Sequence, residues 1–455
     1  MSLYIEQARY TCALGAQQTV LAIPGALPVV HAGPGCSGKV SGFTTTGSGH
    51  QGEEYAGGSH IPCTNTYEQE VVFGGEKKLR HTIDGALQVM KGDLFVIMTG
   101  CTADIVGDDS VNIAKEYAAR GYPVVGVETA GFKGNNYFGH ELVVNAIIEQ
   151  FTGSAGARPR KGLVNLFSVA PFQNPYWRGD IEALKALLES IGLEVNSLFG
   201  YSSAGVSEWK DIPNAQFNLL VSPWVGLSTV KLLEKKYGTP FLHCPVLPVG
   251  AQETSAFLRN VGAFAGVAET LVERVIKKEE SRFYRYLVSM VDFLAEYRNN
   301  LPSELYTVAD SSYGIGTSGF LVNEIGYIPR GLYLIDGPAE NYISFITATA
   351  ASQDPKLGEL LVFETDGGLV QRDIKKRLGK SRKALFLGSG WEKSLAQETN
   401  NLYTFLSLPL PEAVITSGTY VGYNGGLNLL SEIYSNVFRA RTTTSRTQFI
   451  IDEAG

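Results

Sequence analysis

Short apolar runs alternate with amphipathic stretches along most of this chain, and that alternation constrains its fold more than any other feature. Asp93-Leu94-Phe95-Val96-Ile97-Met98 has the length and composition of a buried parallel strand. Gly107-Asp108-Asp109 then opens a helix over 111–120, and Pro123-Val124-Val125-Gly126-Val127 reads as the next strand. The pattern continues with a strand at 163–169, a helix around 181–191, a strand at 219–221 and a helix at 227–237. The last third repeats it with strands at 331–335, 360–364, 384–387 and 413–416. Alternating βα units imply an α/β fold, with parallel sheets flanked by helices on both faces.

Length and charge narrow the reading further. The chain has 455 residues, enough for roughly three domains of about 150 residues each. The small, polar bridge at 154–162 and the charged helical segment at 271–301 mark the breaks. The expected domains are 1–160, which carries the cysteines discussed below, 161–302 and 303–455. A net charge of −7, from 38 basic and 45 acidic residues, leaves no basic stripe for nucleic acid or an anionic membrane. No run reaches the ~18 consecutive apolar residues of a membrane helix. The start lacks the basic and apolar regions of a signal peptide. Five cysteines are too few and too odd in number for a secreted disulfide framework, which points to a reducing cytoplasm. The glycine-rich polar segment 44–60, with His50 and His60, reads as a mobile loop.

Three cysteines fall where turns are expected. Cys36 lies in Gly33-Pro34-Gly35-Cys36-Ser37-Gly38-Lys39, after the apolar stretch 26–30. Cys101 lies in Met98-Thr99-Gly100-Cys101-Thr102, after the 93–98 strand, and Cys12 stands upstream of both. Thiolates on bends at strand ends can reach a shared point. Three of them are what an iron–sulfur cluster needs from one chain when a partner supplies the rest. The spacings are too wide for a zinc hairpin or a Cys-x-x-Cys redox pair. The amides of Gly35 and Gly100 are placed to bond cluster sulfur. Burial as a small core residue is the ordinary state of a free cysteine. That suits Cys244, while Cys63 fits either reading.

Other motifs carry less. The 33–39 run also matches G-x-G-x-x-G and G-x-x-x-x-G-K. As a P-loop it lacks the Ser or Thr after lysine, because Val40 stands there, and Pro34 removes an amide donor. A nucleotide-binding protein using Gly33 to Lys39 remains as a rival reading. Asp108 and Asp109 read as caps at a helix start. No histidine follows His243, and no Gly-x-Ser-x-Gly elbow is present.

Taken in order, several blocks make the chain similar to component 1 of nitrogenase and its relatives. They are Cys12, Gly33-Pro34-Gly35-Cys36, Val71-Val72-Phe73-Gly74-Gly75-Glu76-Lys77-Lys78-Leu79, Thr99-Gly100-Cys101 with Gly107-Asp108-Asp109, and Ala130-Gly131-Phe132-Lys133-Gly134. Lys236-Tyr237-Gly238-Thr239-Pro240, Pro248-Val249-Gly250 with Thr254, and Gly422-Tyr423-Asn424-Gly425-Gly426 complete the set. The resemblance spans almost the full length and implies three Rossmann-like domains. It implies that Cys12, Cys36 and Cys101 are metal ligands to an iron–sulfur cluster, a P-cluster-like 8Fe-7S or 4Fe-4S group. That cluster would be shared with an α-type nitrogenase-like subunit in a heterotetramer. An ATP-dependent iron protein would donate the electrons.

The resemblance also sorts the chain among its relatives. Aligned on Lys236-Tyr237-Gly238, the cysteine that holds the active-site metal cofactor in α-type chains is replaced at about Ser222, and no later histidine offers the second ligand. This implies a β-type subunit with no catalytic residue of its own, relaying electrons to a metal cofactor in its partner. Pro248-Val249-Gly250 and the Gly422–Gly426 segment look β-like, whereas Phe73–Leu79 looks like α-type or scaffold chains. The long N-terminal extension of some β chains is missing, and the serine they add to the cluster is replaced near Ala130-Gly131. A nitrogenase-like reductase of another substrate, such as a methylthio-alkane, fits as well as one of dinitrogen. A cofactor-assembly scaffold of the same fold is the alternative.

Overall fold

The computed structural model describes residues 5–38, 61–153, 158–379 and 383–452, with side chains described to residue 439. The 44–60 segment with His50 and His60, the motif residues Lys39 and Val40, and residues 154–157 of the expected bridge lie outside the described residues.

Three parallel sheets organise the chain. The first holds β1 (Ala26–His31), β2 (Leu94–Thr99) and β3 (Val124–Val127), in that order. The second holds β4 (Arg160–Phe167), β5 (Glu194–Asn196), β6 (Ala215–Val221) and β7 (Phe241–Cys244), in the order β5-β4-β6-β7. The third holds β8 (Glu304–Ala309), β9 (Ile328–Leu334), β10 (Leu361–Phe363), β11 (Ala384–Gly388) and β12 (Leu402–Phe405), in the order β10-β9-β8-β11-β12. All six residues of β2 are buried, because helices cover both faces of a parallel sheet.

The packing follows the apolar periodicity. Leu79, Ile83 and Ala86, on one face of the Glu76–Val89 helix, meet Val29, Phe95 and Ile97 of the first sheet and Ile113 and Tyr117 of the Ser110–Ala119 helix. In the third sheet Tyr306, Tyr333 and Phe386 pack with Val370, Ile374 and Leu395 from flanking helices. Each such large side chain contributes about 1.5–3 kcal/mol relative to exposure. Among the described residues, no helix is long and apolar enough to cross a membrane.

The chain divides into two compact units. One runs from Tyr10 to Cys244, adds Val414–Gly418, and contains the first two sheets. The other joins the N-terminal residues up to Arg9 with Pro245–Ala413 and the chain from Thr419, and contains the third sheet. Within it, residues 6–9 form a strap. Glu6 and Gln7 N–H groups donate to the Asp366 carboxylate at 3.0 and 3.3 Å, and the Arg9 guanidinium pairs with Glu392, both side chains fully buried.

Two expectations change in detail. The helical segment at 271–301 is two helices, Glu269–Ser289 and Val291–Tyr297. The strand expected at 413–416 is absent: that stretch is irregular and leaves Val414 exposed. β12, earlier in the chain, takes the edge of the third sheet. An apolar run of three residues between Pro411 and Gly418 is too short and too broken to compete for that edge.

Candidate metal centre

Because β1, β2 and β3 are parallel, their C-terminal ends share one edge, where His31 pairs with Thr99 and Met98 with Val127. Each strand exits into a turn on this edge. After β1 the chain becomes helical at residue 34, with proline at the first helical position, where its missing N–H costs nothing. Cys36 lies in that first turn and is half-buried. After β2, Gly100 precedes the Cys101–Val106 helix, so Cys101 is its first residue. The Gly100 N–H donates to His31 O at 2.9 Å, so this amide ties the two turns together and is not the sulfur-bonding donor expected of it. A Cβ on Gly100 would stand 2.6 Å from Ala32 Cβ, so glycine is what lets these two turns touch.

Cys12 arrives from outside the sheet. It pairs in antiparallel fashion with Asn135 in the loop after β3, and the Ala13 N–H donates to Gly134 O at 2.9 Å. Asn136 fixes the same segment by accepting the Thr11 N–H at 3.1 Å and donating its own N–H to Thr11 O at 3.0 Å. A buried amide chain continues from Asn136 to Gln173 and on to Gln18.

Gly131 is where two of the three cysteines, Cys12 and Cys101, meet. Its N–H donates to Cys101 Sγ at 3.2 Å. A Cβ at this position would lie 3.0 Å from Cys12 Cβ, 3.3 Å from Cys12 Sγ and 3.1 Å from Cys101 Sγ. The two sulfurs are therefore no farther apart than the sum of the last two distances. Both cysteines are exposed, which is unusual for a residue type that ordinarily packs inside. Cys36 stands on the same edge through the neighbouring strand. Cys63 sits behind its turn: it bridges Val30, its thiol donates to Ala32 O at 3.4 Å, and its sulfur accepts the Asn65 N–H at 3.4 Å. Cys244 is buried at the end of β7, in the second sheet. Around Gly35 a Cβ would meet nothing within 4 Å.

The donor set at this edge is sulfur with an amide N–H aimed at it, and a sulfur-ligated iron group fits it. Among the described residues, no three Cys, His, Asp or Glu side chains close on one point to hold a single ion. A multi-iron group has several corners, so its ligands are spread over a wider footprint. An apolar rim accompanies the sulfurs. Phe132 is exposed beside Gly131, and Ile105 is 74% exposed on the Cys101–Val106 helix. The Glu68–Phe73 helix buries none of its residues and leaves Phe73 83% exposed.

His31, which carries no functional signal in the sequence, pairs here with Asp108, expected only as a cap. The His31 side chain is fully buried, with Nε2 2.9 Å from Asp108 Oδ2 and Nδ1 3.1 Å from Thr64 Oγ1. Asp108 also accepts the Gly75 N–H, at 2.9 and 3.0 Å to its two oxygens. Burial holds the His31 ring below its ordinary value, against the opposing pull of Asp108. Only Asp109 acts as the expected cap, accepting the Asn112 N–H at 2.9 Å. Asp108 instead faces back toward β1, because the left-handed Gly107 ends the preceding helix and reverses the chain.

Comparison with known proteins places this edge in context. The family model for nitrogenase component 1 type oxidoreductases matches residues 11–438. The chain belongs to that family. It is 25% identical to the nitrogenase molybdenum-iron protein beta chain of Methanococcus maripaludis over 461 residues, covering 93% of this chain and 92% of the relative. It is 27% identical over 344 residues to the nitrogenase iron-molybdenum cofactor biosynthesis protein NifE of the same species, covering 72% and 65%. A solved structure described as nitrogenase Cp1 at pH 6.5 superposes with a TM-score of 0.79 at 20% identity, covering 96% of this chain and 94% of the other. The α/β fold with helix-flanked parallel sheets is thus the family fold, and the chain is a nitrogenase-family oxidoreductase subunit.

Proposed function

We propose that this chain is the β-type subunit of a nitrogenase-like reductase and that Cys12, Cys36 and Cys101 hold half of an iron–sulfur cluster shared with an α-type subunit. The observation that carries the reading is the approach of the exposed Cys12 and Cys101 sulfurs to one glycine at a sheet edge. When bound, such a cluster accepts and passes on single electrons. The residues of this chain do the rest. Gly131 leaves space between two sulfurs and offers its N–H to one of them, which eases negative charge there. The Cys12–Asn135 bridge and the Asn136–Thr11 hydrogen bonds fix the height of Cys12, and the Gly100–Ala32 contact fixes Cys101 against the Cys36 turn. The apolar rim excludes water once a second chain covers it.

The electron donor in this reading is an ATP-dependent iron protein, the acceptor a metal cofactor in the partner, and the compartment the cytoplasm. The cluster is P-cluster-like, 8Fe-7S or 4Fe-4S, and the assembly a heterotetramer. A cofactor-assembly scaffold is the second reading, favoured by the similarity to a cofactor biosynthesis protein over 72% of the chain. The test is turnover by the purified complex with iron protein, ATP and reductant. A relay subunit supports steady reduction of dinitrogen or a methylthio-alkane. A scaffold yields no reduced product and instead accumulates a transferable metal cluster.

A further inference from the structure

His31 ends β1 at the root of two of the three sulfur-bearing turns. The chain runs from it into the Cys36 turn, and its carbonyl accepts the N–H of Gly100, the residue before Cys101. Its ring is buried with both nitrogens committed, and the surrounding hydrogen bonds admit two complete arrangements. In the first the ring is neutral. Nε2–H donates to Asp108 Oδ2, the Thr64 hydroxyl donates to Nδ1, and Thr64 Oγ1 accepts the Ala32 N–H at 3.1 Å. In the second the ring is an imidazolium. Nδ1–H then donates to Thr64 Oγ1, and the hydroxyl hydrogen turns to Ala32 O, 3.3 Å away. The two differ by one proton and one hydroxyl rotation, with every heavy atom in place.

The charges facing the ring favour the second arrangement. They are Asp108 after the Cys101–Val106 helix, Asp104 within that helix, and Glu76 at the start of the Glu76–Val89 helix; Asp104 is itself paired with Lys133 at 2.8 Å. Burial opposes them and keeps the ring below its ordinary value. A further negative charge nearby tips such a balance.

We propose that His31 takes up one proton when the cysteine edge gains one electron, offsetting the charge that the electron adds. The inference rests on the relay reading of that edge. The step balances: one electron would pass from a one-electron reductant to ferric iron of the group that Cys12, Cys36 and Cys101 would hold, one proton from solvent binds Nδ1, and the Thr64 hydroxyl turns from Nδ1 to Ala32 O. No bond between heavy atoms forms or breaks.

The test is a redox titration of the purified complex, kept free of oxygen, between about pH 5.5 and 8, with the cluster followed by its paramagnetic resonance. In the wild type the reduction equilibrium falls tenfold per pH unit, about 59 mV for one electron, between the ring's values in the oxidised and reduced states. His31→Gln keeps a donor toward Asp108 but takes up no proton, so its potential is flat across this range. Thr64→Val removes the acceptor that the imidazolium needs and moves the sloping limb to lower pH, which keeps the test open if His31→Gln does not assemble. An iron-loaded wild type with a flat potential overturns the inference, as does a wild-type slope in His31→Gln or a sloping limb left at its wild-type pH in Thr64→Val. A wild-type complex without a reducible centre overturns the relay reading itself, and this inference with it.

Discussion

Gly131 is the residue on which the cysteine edge turns. Any side chain there enters the space between two sulfurs, so Gly131→Val should lower iron content per chain several-fold. The circular dichroism spectrum should stay that of the wild type, because the loop lies at the surface and outside the core. Full iron loading of this variant would show that nothing occupies the space beside the glycine. His140 makes a different prediction. Its ring is buried in the first unit, 2.9 Å from Thr19 Oγ1, and burial alone pushes it down to about 4. An unfolded chain, with an ordinary value of 6.5, therefore takes the proton first. His140 contributes its full stability above pH 6.5 and loses about 1.4 kcal/mol per pH unit as pH falls from there toward 4. Urea titrations at a series of pH values should give His140→Gln a flatter acid limb than the wild type; identical limbs would contradict the burial account.

At the level of elements, the N-terminal strap is the part most exposed to a single substitution. Arg9 and Glu392 are both fully buried, and Arg9 also lies over the Trp391 ring at 4.9 Å. Removing one partner leaves a buried charge alone, which costs about 3–5 kcal/mol. Arg9→Ala should lower the unfolding free energy of the unit that contains the third sheet by that amount, read from guanidinium titration followed by Trp391 fluorescence. A change below about 1 kcal/mol would mean that water reaches the site. Nothing in residues 5–9 shows this strap in the sequence, because its partners lie some 360–380 positions away. The strands and helices were far more legible. The Leu227–Tyr237 helix has its expected bounds, and β2 and β3 shift by a residue. Their signal is local, an apolar run closed by glycine or proline. β12 carries no comparable signal: Leu402–Phe405 is four residues with one polar residue among them, and 413–416 matches it in length and apolar content, so local composition does not tell which takes the sheet edge.

Across the whole molecule, the order of βα units and the ordered family blocks made fold and family readable from residues alone, and the match over residues 11–438 agrees. The site was readable only in part. Cys36 and Cys101 announce themselves through glycine turns after apolar runs. The approach of Cys12 to Cys101, and the His31–Asp108 pair 77 positions apart, exist only once parallel strands share an edge. The central claim is that three sulfurs from this chain hold iron jointly with a partner. Its most direct test is the iron content of the complex purified without oxygen, compared among single Cys→Ala variants. The account predicts that Cys12→Ala, Cys36→Ala and Cys101→Ala each lose the iron that Cys244→Ala retains. Equal iron in all four, or equal loss, would contradict it.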